Sequence, residues 1–181
     1  TKASKNDQKS RQLAVIKDAY SIKRFNHPFV VRFLGLNLYN SNISFDKKDI
    51  IESELNPTLF FEIPKNKSLR CMIRDNVELT PLQRQIIIIG ITSGLKYLHD
   101  NKYIHGCLCP EAIWLDQSLY PKIFNIDQLL YPDKKTNVRY QAPELLFDEN
   151  EIATEESDIF SFGRLLYYLI TGSEPFSLKE D

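Results

Sequence analysis

The chain has 181 residues, 43% of them apolar, and a net charge of −1. That size and composition suit a globular fold with a real core and exclude a disordered chain. The charges are balanced and interspersed, which excludes a nucleic-acid footprint, since that needs a clustered basic face. Three cysteines make no disulfide framework, and the longest apolar run, Ile86–Ile91, is far shorter than the roughly 20 residues needed to span a bilayer. A reduced, cytoplasmic setting without membrane insertion is therefore expected. No signal peptide is visible, and the start at Thr1 reads as the start of a piece of something longer.

In chain order, residues 10–26 carry Leu13, Ile16, Ala19 or Tyr20, and Ile22 or Phe25 at helical spacing, with Asp7 or Ser10 as a cap. His27-Pro28 ends that helix, because a residue before proline avoids the α region. Phe29–Leu38 is rich in β-branched and aromatic residues and reads as a strand. Asp49–Leu55 and Thr58–Ile63 read as a strand pair across Asn56-Pro57, and a short helix follows around Leu69–Arg74. The clearest helix starts at Thr80, with Pro81 in its first position and Gln83 completing a capping box. Its apolar side is assigned to Leu82, Ile86, Ile89, Leu95 and Leu98, and the isoleucine run predicts deep burial. Ala112–Leu115 and Pro121–Phe124 then predict a hairpin, and Pro143–Leu146 a short helix. Thr154 caps a last helix, with Glu155, Glu156 and Asp158 in its first turn and Gly172 at its end. Strands followed by helices predict an α+β fold of two unlike layers or lobes rather than a doubly wound sheet.

The centre of the chain is His105–Asp116, H-G-C-L-C-P-E-A-I-W-L-D. It resembles the catalytic loop of eukaryotic protein kinases, usually H-R-D-L-K-P-E-N. Five further segments resemble the same family in the same order. H-P-F-V-V-R-F-L-G at 27–35 is similar to the link from helix C to the fourth strand. L-F-F-E-I-P-K-N-K-S-L at 59–69 is similar to the fifth strand and hinge, and G-L-K-Y-L-H-D at 94–100 to the end of helix E. V-R-Y-Q-A-P-E-L-L at 138–146 carries the A-P-E motif, and S-D-I-F-S-F-G at 157–163 resembles the start of helix F. The flavour is nearest to the tyrosine-kinase-like group. The resemblance runs from about residue 10 to 176 and implies a two-lobe protein kinase-like fold. Residues 1–63 would be a partial small β-rich N-lobe, with helix C and strands four and five. Residues 64–181 would be a partial helical C-lobe, from the hinge through helix F. The Gly-rich loop, the third strand and three later helices are expected outside this chain. A-V-I-K at 14–17 looks like the third-strand motif, but it lies too close to His27-Pro28; it falls in helix C, where Asp18 matches the family's glutamate.

Kinase chemistry is positioning plus electrostatics. By the resemblance, the position of the proton-accepting aspartate is Cys107, and that of the lysine facing the γ-phosphate is Cys109. The magnesium-binding asparagine is Ala112, the D-F-G aspartate is Asn125 and its glycine is Asp127, and the arginine that grips a phosphorylated segment is Gly106. A thiol is a base only as thiolate, a neutral amide is a weak ligand for a hard dication, and a methyl group is none. The expectation is a catalytically impaired pseudokinase without catalytic residues, cofactor or metal, acting as a scaffold or allosteric signalling module with protein partners. The alternative is an active ATP-dependent Ser/Thr or Tyr kinase using displaced residues, with ATP and magnesium as cofactors; a third reading is a gene remnant without activity.

The resemblance also assigns architecture. His105 and Ile126 stack with Ile22 as a spine anchored by Asp158, and Ala142, Pro143 and Glu144 form the A-P-E element. Phe61 is the gatekeeper, Glu62 and Ile63 belong to the hinge, and Trp114 lies beneath the adenine position, either as a plug or as an ordinary core tryptophan. Tyr131, Thr136 and Tyr140 are candidate phosphosites, with turn roles as the plainer reading. A zinc reading of His105, Cys107 and Cys109 needs a fourth ligand, for which Cys71 is the remaining sulfur. With later helices absent, Glu144 is expected to be a buried charge without its arginine, and Leu165, Leu166, Leu169 and Ile170 partly bare, so the chain alone is expected to be marginally stable.

Overall fold

The computed structural model describes residues 16, 19–37, 58–124, 137–148 and 151–176. The expectations for Asp49–Leu55, for the start of the 10–26 helix, for Asp18, and for Asn125, Ile126, Asp127, Tyr131 and Thr136 fall outside these residues. The chain divides into two compact units, Thr1–Asn26 with Arg32–Ile63, and His27–Val31 with Pro64–Asp181.

In the first unit, residues 19–22 are helical, and Ala19, Ile22 and Phe25 are buried. β1 (Phe33–Asn37) and β2 (Thr58–Phe61) pair antiparallel, with Phe33 opposite Phe61 and Asn37 opposite Thr58. The register shifts between Phe33 and Gly35. The Phe33 and Phe61 rings meet edge to face, 5.5 Å apart, the kind of cross-strand aromatic pair that pins a short ribbon. The Phe61–Ile63 end is tied back by Glu62 N–H to Arg32 O at 2.9 Å, and Arg32 N–H returns a bond to Glu62 Oε1 at 3.1 Å.

The strand expected over Phe29–Leu38 begins only at Phe33. Residues 29–31 bond elsewhere: Ile123 N–H donates to Phe29 O at 2.8 Å, and Val31 N–H donates to Ile123 O at 2.9 Å. Val30 and Val31 are buried there, as members of the second unit.

That second unit holds α1 (Leu69–Arg74), α2 (Pro81–Asp100), the antiparallel hairpin β3 (Ile113–Leu115) and β4 (Pro121–Ile123), α3 (Pro143–Phe147) and α4 (Glu155–Thr171). α2 starts as its sequence dictates. Gln83 N–H donates to Thr80 Oγ1 at 3.2 Å, and Thr80 N–H donates to Gln83 Oε1 at 2.8 Å. Leu95 and Leu98 are buried as expected, but the rest of the buried face is Ile87, Gly90, Ile91 and Gly94, while Leu82 and Ile89 are each 65% exposed. Two glycines belong to the stripe because the hairpin comes too close for a side chain. A methyl at Gly94 would stand 2.8 Å from Ile123 Cδ1 and 3.0 Å from Phe29 O.

α4 begins with Ser157 N–H donating to Thr154 Oγ1 at 3.3 Å and ends at Gly172, at φ 69°. Glu155, Glu156 and Asp158 complement the positive end of its dipole. Its buried stripe includes Asp158, Ser161, Leu165, Tyr168 and Leu169. Leu165 and Leu169 are thus covered rather than bare, because this stripe faces the unit's own core, and the exposed apolar residues are Ile159, Tyr167 and Ile170. Glu144 is exposed, so no buried charge is stranded there. The α+β class is as expected, with small two-stranded sheets and a helical second unit. Among the described residues, no helix is long and apolar enough to cross a membrane.

Candidate functional site

The loop from His105 to Ala112 links α2 to β3, and it is shaped from three directions. Leu108 and Pro110 are buried and fix its middle. At its far end, Ala112 N–H donates to Cys109 O at 3.0 Å, and Phe124 N–H donates to Ala112 O at 2.8 Å. At its near end stands Asp158 of α4, fully buried. Its carboxylate accepts His105 N–H at 2.8 Å, Gly106 N–H at 2.7 Å and His99 Nε2 at 2.8 Å. Three donors satisfy the oxygens of a carboxyl group that would otherwise be costly to bury at that depth. Gly106 turns at φ 75°, a left-handed conformation that glycine adopts without strain.

His105 is fully buried, and its Nδ1 accepts Cys107 N–H at 3.3 Å. Burial pulls its pKa down, outweighing the attraction of Asp158 and a hydrogen bond with the Phe124 backbone, so the ring is neutral. Among the described residues, no three His, Cys, Asp or Glu side chains converge on a point where an ion could sit. His99 carries no assignment by resemblance; its signal is that a buried Asp158 needs donors, and His99 lies in the last turn of α2.

Four of the assigned chemical positions, Gly106, Cys107, Cys109 and Ala112, lie among the described residues. Cys107, Cys109 and Gly106, with Asn137, Tyr140 and Gln141, edge a cleft of about 10 Å³, room for one water molecule. The Cys109 thiol is pushed up to about 12 by burial first and by the Glu111 carboxylate second, so it stays protonated and uncharged at neutral pH. Ala112 is buried and offers only a methyl group. This donor set does not fit a magnesium–phosphate group, which calls for hard anionic oxygens and a cation. Asn125, the other assigned metal position, lies outside the described residues.

The remaining assigned residues are distributed over both units. Phe61, Glu62 and Ile63 belong to the first. Trp114 belongs to the second, part-buried in β3 opposite Lys122, its ring tilted against Phe124 at 6.2 Å. Ala142, Pro143 and Glu144 start α3, with Ala142 buried as its N-cap. Tyr140 is buried, and its hydroxyl donates to Glu174 Oε2 at 3.2 Å, so it is not an open phosphosite; its ring meets that of Tyr168 edge to face.

A family model described as Protein kinase domain matches residues 1–181. The chain is 28% identical over 182 residues to dual specificity protein kinase pyk3 of Dictyostelium discoideum. It is 28% identical over 185 residues to receptor-interacting serine/threonine-protein kinase 1 of Homo sapiens, and 27% identical over 165 residues to serine/threonine-protein kinase polo of Drosophila melanogaster. These alignments take in 97%, 90% and 87% of this chain, which spans only 12%, 25% and 26% of the respective relatives.

Proposed function

The chain belongs to the protein kinase family, and on that premise we propose that this domain is catalytically impaired, a pseudokinase that serves as a scaffold or allosteric partner for other proteins. One observation carries the reading: at the loop positions the family uses for proton transfer and phosphate charge, this chain holds Cys107 and a protonated Cys109. A positioned general base contributes about 10²–10⁴-fold to rate, and the phosphate-facing cation acts only by charge, which Cys109 lacks. Ala112 and Asn125 extend the same pattern to the two metal positions. Protein partners are the function left to a kinase scaffold without transfer chemistry.

The test is transfer of labelled γ-phosphate from Mg·ATP, by full-length protein, to itself and to a generic protein substrate. The expected result is no transfer above that of a heat-inactivated control. Transfer that disappears in Cys107→Ala or Asn125→Ala would overturn the proposal. The relatives favour a second reading, because their names are those of kinases: an active ATP-dependent Ser/Thr or Tyr kinase with displaced catalytic residues. A large magnesium-dependent rise in melting temperature with ATP, together with transfer, selects that reading.

A further inference from the structure

His27 opens the short segment that pairs with Ile123, and both of its ring nitrogens are engaged. Phe29 N–H donates to His27 Nδ1 at 3.3 Å. A backbone amide can only donate, so in the neutral ring the proton sits on Nε2, which lies 3.4 Å from Ser93 Oγ of α2. The ring stacks on Tyr97 with centroids 4.7 Å apart and meets the Phe29 ring edge to face at 5.6 Å. Ser93 and Tyr97 are thus the groups that face it from α2, and Lys122 of β4 supplies the charge that acts on it. The next charges along α2, Lys96 and Asp100, are paired with each other at 2.7 Å.

The residue that His27 holds is also the one that binds the hairpin. Phe29 O accepts Ile123 N–H, and the same carbonyl oxygen is the atom that Gly94 of α2 leaves room for. A second proton on the ring reverses one of these contacts. Nδ1–H and Phe29 N–H become two donors facing each other, and one of them has to turn away. The new cation also meets the Lys122 ammonium. The face of Tyr97 attracts a cation, yet burial first and Lys122 second hold the ring's pKa below its ordinary 6.5. Opening the segment restores the ordinary value, so the closed arrangement is fully held above about pH 6.5 and loosens below it. We propose that His27 is a proton-operated pin: neutral, it holds Phe29–Val31 against α2 and β4, and on taking a proton it lets that segment lift from Ile123.

The test follows amide hydrogen exchange by NMR in the full chain at pH 7.5 and 5.5, as protection factors, which remove the intrinsic pH dependence of exchange. The readout is the protection of Val31 and Ile123 relative to that of Leu165 in α4, a ratio in which a loss shared by the whole unit, such as that from His105, cancels. In the wild type the ratio should fall by about two- to tenfold; about tenfold is the limit for one proton that binds near pH 6.5 in the open segment and not at all in the closed one. His27→Gln can accept from Phe29 and donate to Ser93 but cannot charge, and it should hold the ratio within about twofold. A ratio that does not fall in the wild type, or that falls as far in His27→Gln, overturns the proposal. If His27→Gln does not fold, the wild type decides alone: the loss of protection has to follow the His27 ring signal through the same midpoint, and a different midpoint overturns the proposal. No nucleotide is present in the assay, so the result stands whether or not the domain transfers phosphate.

Discussion

Replacing Gly90 with alanine puts a methyl group where α2 meets the β3–β4 hairpin. The new Cβ would stand 2.9 Å from Pro121 Cδ, closer still to its Cγ, and 3.1 Å from Phe29 Cδ1. Pro121 is buried, and its ring cannot rotate away as a flexible side chain would. Overpacking of this kind costs about 1–3 kcal/mol, and rigid neighbours place it in the upper part of that range. Alanine recovers about 1 kcal/mol through its better helix propensity. The net loss is about 1–2 kcal/mol, which for a chain of this size lowers Tm by about 2–8 °C. Gly163 in α4 is the control: it is exposed, and a Cβ there meets nothing within 4 Å. Gly163→Ala should therefore show the propensity gain alone, raising Tm by about 2–4 °C. Thermal melts of both variants by circular dichroism decide the matter. A Gly90→Ala protein melting at or above the wild type, or a Gly163→Ala protein melting below it, refutes the packing argument.

Asp158→Ala removes the acceptor for three buried donors and should cost about 3–5 kcal/mol, a loss of at least about 6 °C in Tm; a shift under 2 °C would show that the carboxylate does not hold the loop. Cys109, pushed up to about 12 from an ordinary 9.0, should have about a thousandfold less thiolate than a free cysteine at pH 8. Mass spectrometry after a short iodoacetamide pulse on folded protein should find it unlabelled, and prompt labelling would contradict the raised pKa of this part-buried thiol. His105 binds a proton less readily folded than unfolded, where its ordinary value is 6.5. Stability should thus be full above about pH 6.5 and fall below it, by up to about 1.4 kcal/mol per pH unit. His27, lowered by burial and by Lys122, acts in the same direction. Urea midpoints at pH 7.5 and 5.5 should show a smaller acid loss in His105→Gln than in the wild type, and an unchanged loss would remove His105 from the account.

The parts of the fold readable from sequence are those fixed by neighbours along the chain. Thr80, Pro81 and Gln83 announce α2, and Thr154 and Gly172 bracket α4, because caps are made within a turn or two of backbone. What escaped the sequence is non-local. Nothing in Phe29–Val31 says that their backbone will pair with Ile123, so composition alone extends the first strand four residues too far at that end. The buried face of α2 is only partly legible because Gly90 and Gly94 carry no hydropathy and yet mark the closest approach. At the site, the loop's identity was plain from His105, Pro110 and Glu111. Its electrical character was less so: the neutrality of Cys109 follows from burial beside Glu111, and the pairing of Arg70 with Glu174 joins residues over a hundred positions apart.

The pairing of Phe29 and Val31 with Ile123 has a consequence for anyone wishing to dissect this chain. The polypeptide passes between its two units three times, after Asn26, Val31 and Ile63. A cut after Ile63 frees residues 64–181 from the rest covalently, but it deprives Ile123 of its hydrogen-bonding neighbours and uncovers the glycine-lined side of α2. The excised helical half would carry a raw edge, the kind of surface on which chains stick to one another. The short piece His27–Val31 is thus the keel of the half it precedes, and a dissection that respects the fold has to carry it along.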